Sequence, residues 1–375
     1  MSNKSINFFR ELGAAEPLYP LLANNKQKYG FIDQNGEWLC PPLFEDAWAF
    51  ERGRAPVKTN GKWGLLDYRG EWIAQPEYDG FNHHGDGPAM VRVSAKYGFF
   101  DEQSRRMLID PQFSHAFGFS CELSQVIYGT SVNKSRYGYV TMGGEILMPS
   151  ILGKASSFYD DRALARLTDN SKVGYIDKSR LLESKMDLFA VPPKFEDGRI
   201  FSEGLAGVKL DNKWGVIDLS GNWVIEPNYD TGIRFFDGIS SASKNGIIGF
   251  IDKQGEWIFV LEGADSVSDC SENIISAVVY GPGREDENWG YMSLSGDWII
   301  EPRFMVAKPF YRGLGEIRQH DGKNGIVDRT GAWVVKPIYD NVDIYSDLIR
   351  VHFGERQGYI SRRGEPLTFD ESEVC

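Results

Sequence analysis

The segment KWGVIDLSGNWVIEP at residues 213–227 joins a basic residue, an aromatic residue and a glycine to two short apolar runs separated by a polar turn. Close copies read KYGFIDQNGEW at 28–38, KWGLLDYRGEW at 62–72, NWGYMSLSGDW at 288–298 and KNGIVDRTGAW at 323–333. The glycine recurs every 33 to 41 residues. Because a fixed period of this length is the signature of repeat architectures, the chain is predicted to be one tandem array.

The repeat glycines mark nine full repeats and a truncated tenth within residues 28–375. They are Gly30, Gly64, Gly98, Gly138, Gly174, Gly215, Gly249, Gly290, Gly325 and Gly358. Residues 1–27 contain no copy and are predicted to form a non-repeating N-terminal cap, with a short helix over residues 6–12. Stacked arrays need such terminal caps.

Each repeat is predicted to contain a tight hairpin. Asp218 ends the strand that begins at Gly215, and Gly221 follows three residues later. An Asp side chain accepts hydrogen bonds from a turn backbone, and a glycine three positions on supplies the positive φ of a type I turn with a G1 bulge. The same spacing recurs in most copies, with Thr or Ser replacing Asp in three of them.

The returning strand begins at a tryptophan and meets a proline four residues later, as in Trp223 and Pro227. We expect the proline to end the strand because it lacks the amide donor that a ladder requires. Tyr229 and Asp230 then follow, and we expect the ring to anchor the next connection. A third strand has the pattern F-x-x-G-x-A-x-V, clearest at 50–57 and 201–208.

The predicted fold is all-β: about ten short three-stranded antiparallel meanders, stacked as an open twisted solenoid. A single meander buries too little surface to be stable alone, so neighbours must pack their apolar faces together. Ten repeats exceed the four to eight blades usual in closed propellers. Closed propeller-like rings, including two rings of five, are the alternative.

The array resembles the WG-repeat family, also called KWG repeats, over about residues 28–364. Its carriers are the steps Lys62-Trp63-Gly64 and Lys213-Trp214-Gly215, with Gly-x-Trp steps downstream. The first ring of the repeat is replaced in four copies, by Val173, Ile248, Asn324 and Gln357. The resemblance implies a repeat scaffold of bacterial type and transfers no catalytic residue.

Charge and composition point to a protein partner. With 41 Lys and Arg against 53 Asp and Glu, the net charge of -12 disfavours nucleic acid and anionic membrane and favours a partner with a basic surface. No stretch is long and apolar enough to span a membrane, so we expect a cytoplasmic protein. The four cysteines are far apart and form no CxxC pair, which indicates neither a zinc site nor a dense disulfide framework.

The sequence contains no recognisable catalytic or cofactor site. The five histidines lack the spacing of metal ligands, and no glycine motif for phosphate binding is present. The recurrent Asp supplies one carboxylate per turn, whereas calcium takes six to eight oxygens. We therefore expect no enzymatic activity, no metal and no cofactor.

Candidate partner-binding residues lie in the irregular region 261–287 and among aromatic residues outside the repeat register. Insertions in one repeat of an array often form the binding face. The acidic candidates are Glu262, Asp265, Asp269, Glu272, Glu285, Asp286 and Glu287, and the aromatic ones are Tyr280, Phe310 and Tyr311, with Trp48 as a further candidate for the surface. The alternative for the acids is an ordinary solvated loop.

The leading hypothesis is a non-enzymatic protein-binding scaffold with an acidic surface, since extended repeat arrays suit extended partners. A sharper form is an immunity protein that neutralises a toxin by covering a basic cleft. The alternative is a carbohydrate or cell-envelope glycan binding module that uses exposed aromatic faces. A secreted effector scaffold would have the same sequence features.

Overall fold

The computed structural model describes residues 18–23, 28–83, 87–129, 135–147, 152–167, 172–261, 266–280 and 287–369. These residues form ten antiparallel sheets and one short helix, so the all-β prediction is confirmed. Residues 6–12, predicted as a helix, lie outside the described part. The chain divides after Phe195 into an N-terminal unit and a C-terminal unit.

The N-terminal unit contains sheets 1 to 5. Sheet 1 has strands β1 (Tyr19–Leu22), β2 (Tyr29–Ile32) and β3 (Trp38–Phe44). Sheet 2 has β4 (Asp46–Ala47), β5 (Arg54–Thr59), β6 (Lys62–Asp67) and β7 (Trp72–Tyr78). Sheet 3 has β8 (Gly80–Asn82), β9 (Ala89–Val93), β10 (Lys96–Asp101) and β11 (Arg106–Phe113). Sheet 4 has β12 (His115–Ser120), β13 (Leu123–Tyr128), β14 (Arg136–Thr141) and β15 (Ile146–Leu147). Sheet 5 has β16 (Lys154–Ala155), β17 (Arg162–Arg166), β18 (Val173–Asp177) and β19 (Phe189–Phe195), with helix α1 (Lys178–Leu182) between the last two.

The C-terminal unit contains sheets 6 to 10. Sheet 6 has β20 (Asp197–Gly198), β21 (Leu205–Leu210), β22 (Lys213–Asp218) and β23 (Trp223–Tyr229). Sheet 7 has β24 (Ile239–Lys244), β25 (Ile247–Asp252) and β26 (Trp257–Val260). Sheet 8 has β27 (Ser266–Ser271), β28 (Ile274–Tyr280), β29 (Glu287–Ser293) and β30 (Trp298–Phe304). Sheet 9 has β31 (Val306–Ala307), β32 (Leu314–Arg318), β33 (Asn324–Asp328) and β34 (Trp333–Tyr339). Sheet 10 has β35 (Asn341–Ile344), β36 (Leu348–Phe353) and β37 (Arg356–Ser361).

The sheets have the build of β-propeller blades. Seven of the ten described sheets have four strands in sequential order, where three were predicted, because a further strand such as β4 pairs with the strand that follows it. Four-stranded meanders of this kind are propeller blades. The open twisted solenoid is therefore wrong, and the propeller-type alternative describes the repeats. The number of repeats favoured a solenoid, but that number does not determine how many strands pair within one repeat.

The last strand of a sheet runs through its proline instead of ending there. β7 contains Pro76 and β23 contains Pro227, and both strands lie at a sheet edge. An edge strand has one side without ladder partners, so the missing amide hydrogen costs nothing there. The pairing of β22 with β23 also shifts register between Trp214 and Val216, as a β-bulge would produce. The prediction that proline ends the strand is wrong for this reason.

The predicted turn is confirmed at Asp218. Its Oδ1 accepts hydrogen bonds from the amides of Ser220 and Asn222, both at 2.9 Å. The Gly221 amide donates to the Asp218 carbonyl at 3.0 Å, and Gly221 has a φ of 84°. Sheet 5 departs from the pattern, because no glycine follows Asp177 at that spacing and Asp177 instead caps helix α1 by accepting from the Arg180 amide.

The repeat glycine lies under the strand that returns from this turn. A Cβ atom on Gly215 would stand 2.6 Å from the Ile225 carbonyl oxygen, 2.8 Å from the Pro227 nitrogen and 2.9 Å from the Trp223 ring. A Cβ atom on Gly30, Gly64 or Gly290 would likewise stand 2.4 to 2.7 Å from a carbonyl oxygen of the returning strand in the same sheet. Glycine is required here by the close approach of backbone and tryptophan ring.

Hydrophobic clusters lie between consecutive sheets of each unit. Leu65 and Tyr78 of sheet 2 share one cluster with Phe81 and Phe100 of sheet 3. The neighbouring Phe99 points to the other face of sheet 3 and joins the cluster shared with sheet 4. Strand alternation thus gives each sheet two apolar faces, and the predicted stacking of neighbours is confirmed within each unit.

Candidate interaction surface

Ion pairs connect consecutive sheets at the end where the glycine strand begins. We call this the hairpin end because the short turn from β5 to β6 lies there, whereas the Asp-x-x-Gly turns lie at the opposite end. Lys62 Nζ donates to Asp79 Oδ1 at 2.6 Å, and Asp79 Oδ2 accepts from the Ser94 amide at 2.7 Å. Lys213 pairs with Asp230 and Lys323 with Asp340 at the same spacing of 17 residues. The hydrogen bond from Lys62, followed by the one from Ser94, lowers the pKa of Asp79. The basic residue of the repeat and the acidic residue after the anchoring ring therefore form an ion pair that recurs between consecutive sheets. We call such a contact between two sheets a tie.

Glutamates connect consecutive sheets at the opposite end, beside the Asp-x-x-Gly turns. Glu203 accepts from the Gly238 amide at 3.1 Å and pairs with Lys253 at 2.8 Å. Glu272 accepts from the Gly313 amide at 2.8 Å and pairs with Arg329 at 2.6 Å. These carboxylates are committed to inter-sheet contacts.

Of the seven predicted acidic candidates, the structure describes the side chains of two, Glu272 and Glu287. Glu262, Asp265, Glu285 and Asp286 lie outside the described residues, as does the side chain of Asp269. Glu272 belongs to the tie just described. Glu287 is exposed at the start of β29, in register with Tyr280 at the end of β28. Their role in partner binding stays a prediction.

The two neighbouring aromatic candidates have opposite environments. Phe310 is 3% exposed and packs edge to face on Tyr291, with ring centroids 4.8 Å apart. It belongs to the core and not to the surface. Tyr311 is 51% exposed, and the Arg312 guanidinium lies 5.5 Å from its ring centroid.

The histidines and cysteines do not gather into a metal site within the described residues, where no group of three or more His, Cys, Asp or Glu side chains is placed to hold an ion. Cys40 is buried, and burial raises the pKa of its thiol to about 12. Cys121 and Cys270 are half-buried, and Cys375 lies outside the described residues. Within the described ranges, no helix has the length and apolar character of a membrane span.

A cleft of about 260 Å³ opens at the hairpin end between sheets 2 and 3, and we call it the aromatic cleft. Its walls are Trp48, Trp63, Phe81, Met90 and Tyr97, with Asp79 and Arg92 at its polar side. Trp48 follows β4 directly and is 36% exposed, with its ring 5.7 Å from that of Trp63 in an edge-on contact. The sequence identified Trp48 as an aromatic residue outside the repeat register, and the structure gives it a neighbour from within the register.

A second cleft of about 190 Å³ occupies the corresponding place between sheets 9 and 10, and we call it the polar cleft. Lys308 follows β31 as Trp48 follows β4, and Asn324 precedes the repeat glycine as Trp63 does. Asn324 is buried and donates from Nδ2 to the Asp340 carbonyl at 2.8 Å. The same position of the fold is thus lined by rings in one unit and by polar groups in the other.

Asp343 in sheet 10 makes stability depend on acid pH. His352 and Arg350 lower the pKa of Asp343 to about 2 from its usual 3.8. Because the folded-state pKa lies below the unfolded one, this contribution is present above pH 3.8 and is lost as the pH falls toward 2. The Asp343 side chain is 38% exposed. After allowance for solvent screening we expect about 1 kcal/mol.

The measurement is the difference in unfolding free energy between the wild type and Asp343→Asn in urea. We expect the wild type to be more stable at pH 6 and the difference to shrink between pH 4 and pH 2.5. A difference that stays constant with pH would show that the ionised carboxylate contributes nothing.

Sheets of this build, tied to their neighbours at both ends, define a tandem β-propeller-type repeat protein. A model of the WG containing repeat matches residues 29–63, 63–93, 189–214, 214–246, 289–323 and 325–354. The chain belongs to the WG-repeat family, which confirms the resemblance seen in the sequence.

One solved structure shares the fold at low sequence identity, and others show a weaker likeness. The crystal structure of a eukaryotic initiation factor has a TM-score of 0.50 and 10% identity, with 84% of this chain and 95% of that chain covered. BamB from Moraxella catarrhalis has a TM-score of 0.41 and 9% identity, covering 77% and 92%. Hsv2p from Kluyveromyces lactis has a TM-score of 0.34 and 9% identity, covering 65% and 94%. No curated protein sequence matches the chain. The first of these likenesses supports the fold alone.

Proposed function

We propose that this protein is a non-enzymatic scaffold that binds another protein at the hairpin end of its sheets. The aromatic cleft carries the proposal, since it places the part-exposed Trp48 against Trp63 in an open groove. Tryptophan and tyrosine dominate the energy of protein interfaces because they bury a large area with little loss of conformational freedom. Insertion of a partner side chain between sheets 2 and 3 would use this property.

The edges of the sheets support binding through side chains. Strands β7, β23 and β34 carry prolines at positions 76, 227 and 337. A proline on an edge strand discourages the addition of a further strand. The net charge of -12 favours a partner with a basic surface over nucleic acid or an anionic membrane.

Trp48→Ala tests the proposal. Tagged wild type is used to capture partners from the source lysate, and the captured protein is then purified and titrated against each variant. We expect Trp48→Ala to weaken binding by about 2 kcal/mol, or roughly thirtyfold, as for a central interface ring. Tyr159→Ala is the matched control, because Tyr159 is 38% exposed in the same unit but does not line the cleft.

Unchanged affinity in Trp48→Ala would move the binding face elsewhere. The triple variant Glu285→Gln, Asp286→Asn, Glu287→Gln then tests the acidic candidates directly.

A sharper form of the proposal is that the protein acts in the cytoplasm as an immunity protein. It requires that co-expression with a toxin encoded nearby protects cells, and it fails if no such toxin binds.

Glycan binding is a second candidate because several tryptophan rings are accessible. Trp38 is 44% exposed, Trp48 36% and Trp333 38%. Sugars stack on such faces. Quenching of tryptophan fluorescence by envelope glycans would favour this function, whereas a protein partner with no glycan response favours the scaffold. A delivered effector would use the same scaffold, and a secretion assay separates it.

A further inference from the structure

In sheet 6, an arginine occupies the position that Trp48 has in sheet 2. Arg199 follows β20 directly, as Trp48 follows β4. Its guanidinium carbon lies 4.9 Å from the ring centroid of Trp214, which is the repeat counterpart of Trp63. A Cβ on Gly232 would stand 2.7 Å from Arg199 Nε. The guanidinium therefore lies between the Trp214 ring and the backbone that leads into sheet 7.

The aromatic cleft has similar walls, with Trp48 in the place of Arg199 and with Arg92 beside Gly80, where a Cβ on Gly80 would stand 3.5 Å from Arg92 Nε. Trp63 provides the ring on one side, and Gly80 and Phe81 provide the chain entering β8 and sheet 3 on the other. Trp48 contacts Trp63 edge on, at an interplanar angle of 64°. A cleft of about 260 Å³ remains open beside these rings.

We infer that the aromatic cleft receives an arginine side chain of the partner, held against the rings of Trp63 and Trp48 as Arg199 is held against Trp214. The inference rests on the proposed binding function and names the group that the cleft recognises. Arginine suits the site because its planar guanidinium is weakly hydrated and stacks on aromatic faces. It also complements the net charge of -12.

The Asp79 carboxylate at the cleft is already engaged within the protein. Both carboxylate oxygens of Asp79 already accept hydrogen bonds, from Lys62 and from the Ser94 amide. Arg92 opposes a second cation, but its side chain is exposed and its Nη2 donates to the Asp79 carbonyl at 3.2 Å. Solvent therefore screens its charge only in part, and removal of that charge should improve binding.

The test uses the full chain and four blocked pentapeptides, acetyl-Gly-Gly-X-Gly-Gly-amide, with X as arginine, lysine, citrulline or proline. Binding is measured by calorimetry and by the indole signals in NMR spectra. We expect the arginine peptide to bind best and citrulline, which has the same shape without charge, to bind at least about fivefold more weakly. Trp63→Ala should lose the arginine preference, and Arg92→Glu should tighten arginine binding by about fivefold. Tyr159→Ala should leave affinity unchanged.

Equal binding of arginine and citrulline, or a preference for proline, would overturn the inference and make the cleft an apolar groove. Arg199→Ala provides an independent test, because it empties the counterpart site beside Trp214. We expect this variant to bind a second equivalent of the arginine peptide. A folded Arg199→Ala protein with no second site would contradict the comparison of the two sites.

The peptide experiment needs no partner, so its outcome is separate from that of the proposed function. Peptide binding with no protein captured would fault the scaffold proposal while leaving arginine recognition in place. A captured protein whose affinity depends on Trp48 but not on any of its arginines would fault the arginine inference alone.

Discussion

Gly215→Val is expected to destabilise the protein by about 3 to 5 kcal/mol, the range of the most damaging single substitutions. A Cβ at this position would lie 2.6 Å from the Ile225 carbonyl oxygen and 2.8 Å from the Pro227 nitrogen. Both neighbours are backbone atoms, so they cannot rotate away as a side chain could. Relief requires β22 and β23 to separate, which exposes Val216 and Ile225 of the cluster between sheets 6 and 7.

Urea unfolding followed by tryptophan fluorescence and circular dichroism measures this cost. Gly118→Val is the control, because Gly118 lies on the exposed strand β12 and a Cβ there meets nothing within 4 Å. We expect the control to change the unfolding free energy by less than about 0.5 kcal/mol. Equal stability of the two variants would show that close approach is not the reason for glycine at residue 215.

The array and its turns could be predicted from the sequence because each depends on local chemistry. Asp218 and Gly221 define their turn through hydrogen bonds that span four residues. The same local rule holds at Asp328 and Gly331, closer to the C-terminus. Repetition then converts one reliable turn into a prediction of the whole strand pattern.

The build of each sheet could not be predicted because it depends on which strand lies at an edge. Pro76 is compatible with β7 only because no further strand pairs on that side. The two-residue strand β4 has no hydrophobic alternation that would identify it, and its pairing with β5 is what completes the blade. Both features become visible only once the strands are placed side by side.

Part of the candidate surface could be predicted from the sequence. Trp48 can be identified in the sequence because it lies outside the repeat register, whereas its neighbour Trp63 lies within the register and carries no such signal. The tie between Lys62 and Asp79 was missed, although the constant spacing of 17 residues in Lys213–Asp230 and Lys323–Asp340 was the available signal. Charge pairs between consecutive repeats emerge only when acids and bases are compared across repeat boundaries.

The environment of Phe310 leads to the second large effect. Phe310→Ala is expected to cost about 3 to 5 kcal/mol, as truncation of a buried phenylalanine does. The ring is 3% exposed, packs on Tyr291 at 4.8 Å, and lies where a Cβ on Gly315 would approach within 2.7 Å. These contacts join sheets 8 and 9, so the cavity would lie between two sheets and could not be filled by one of them alone.

Tyr311→Ala is the matched variant, because the adjacent ring is 51% exposed and contacts Arg312 in solvent. We expect it to change stability by less than about 0.5 kcal/mol, so the two neighbours should differ by several kcal/mol in the same urea titration. Partner capture adds a second readout, since only Tyr311 has a side chain that a partner can reach. A stable Phe310→Ala protein beside an unfolded Tyr311→Ala protein would reverse the assignment of core and surface at this turn. That result would require the Tyr291 ring to pack against residue 311 instead of residue 310, with the connection between β31 and β32 shifted by one residue.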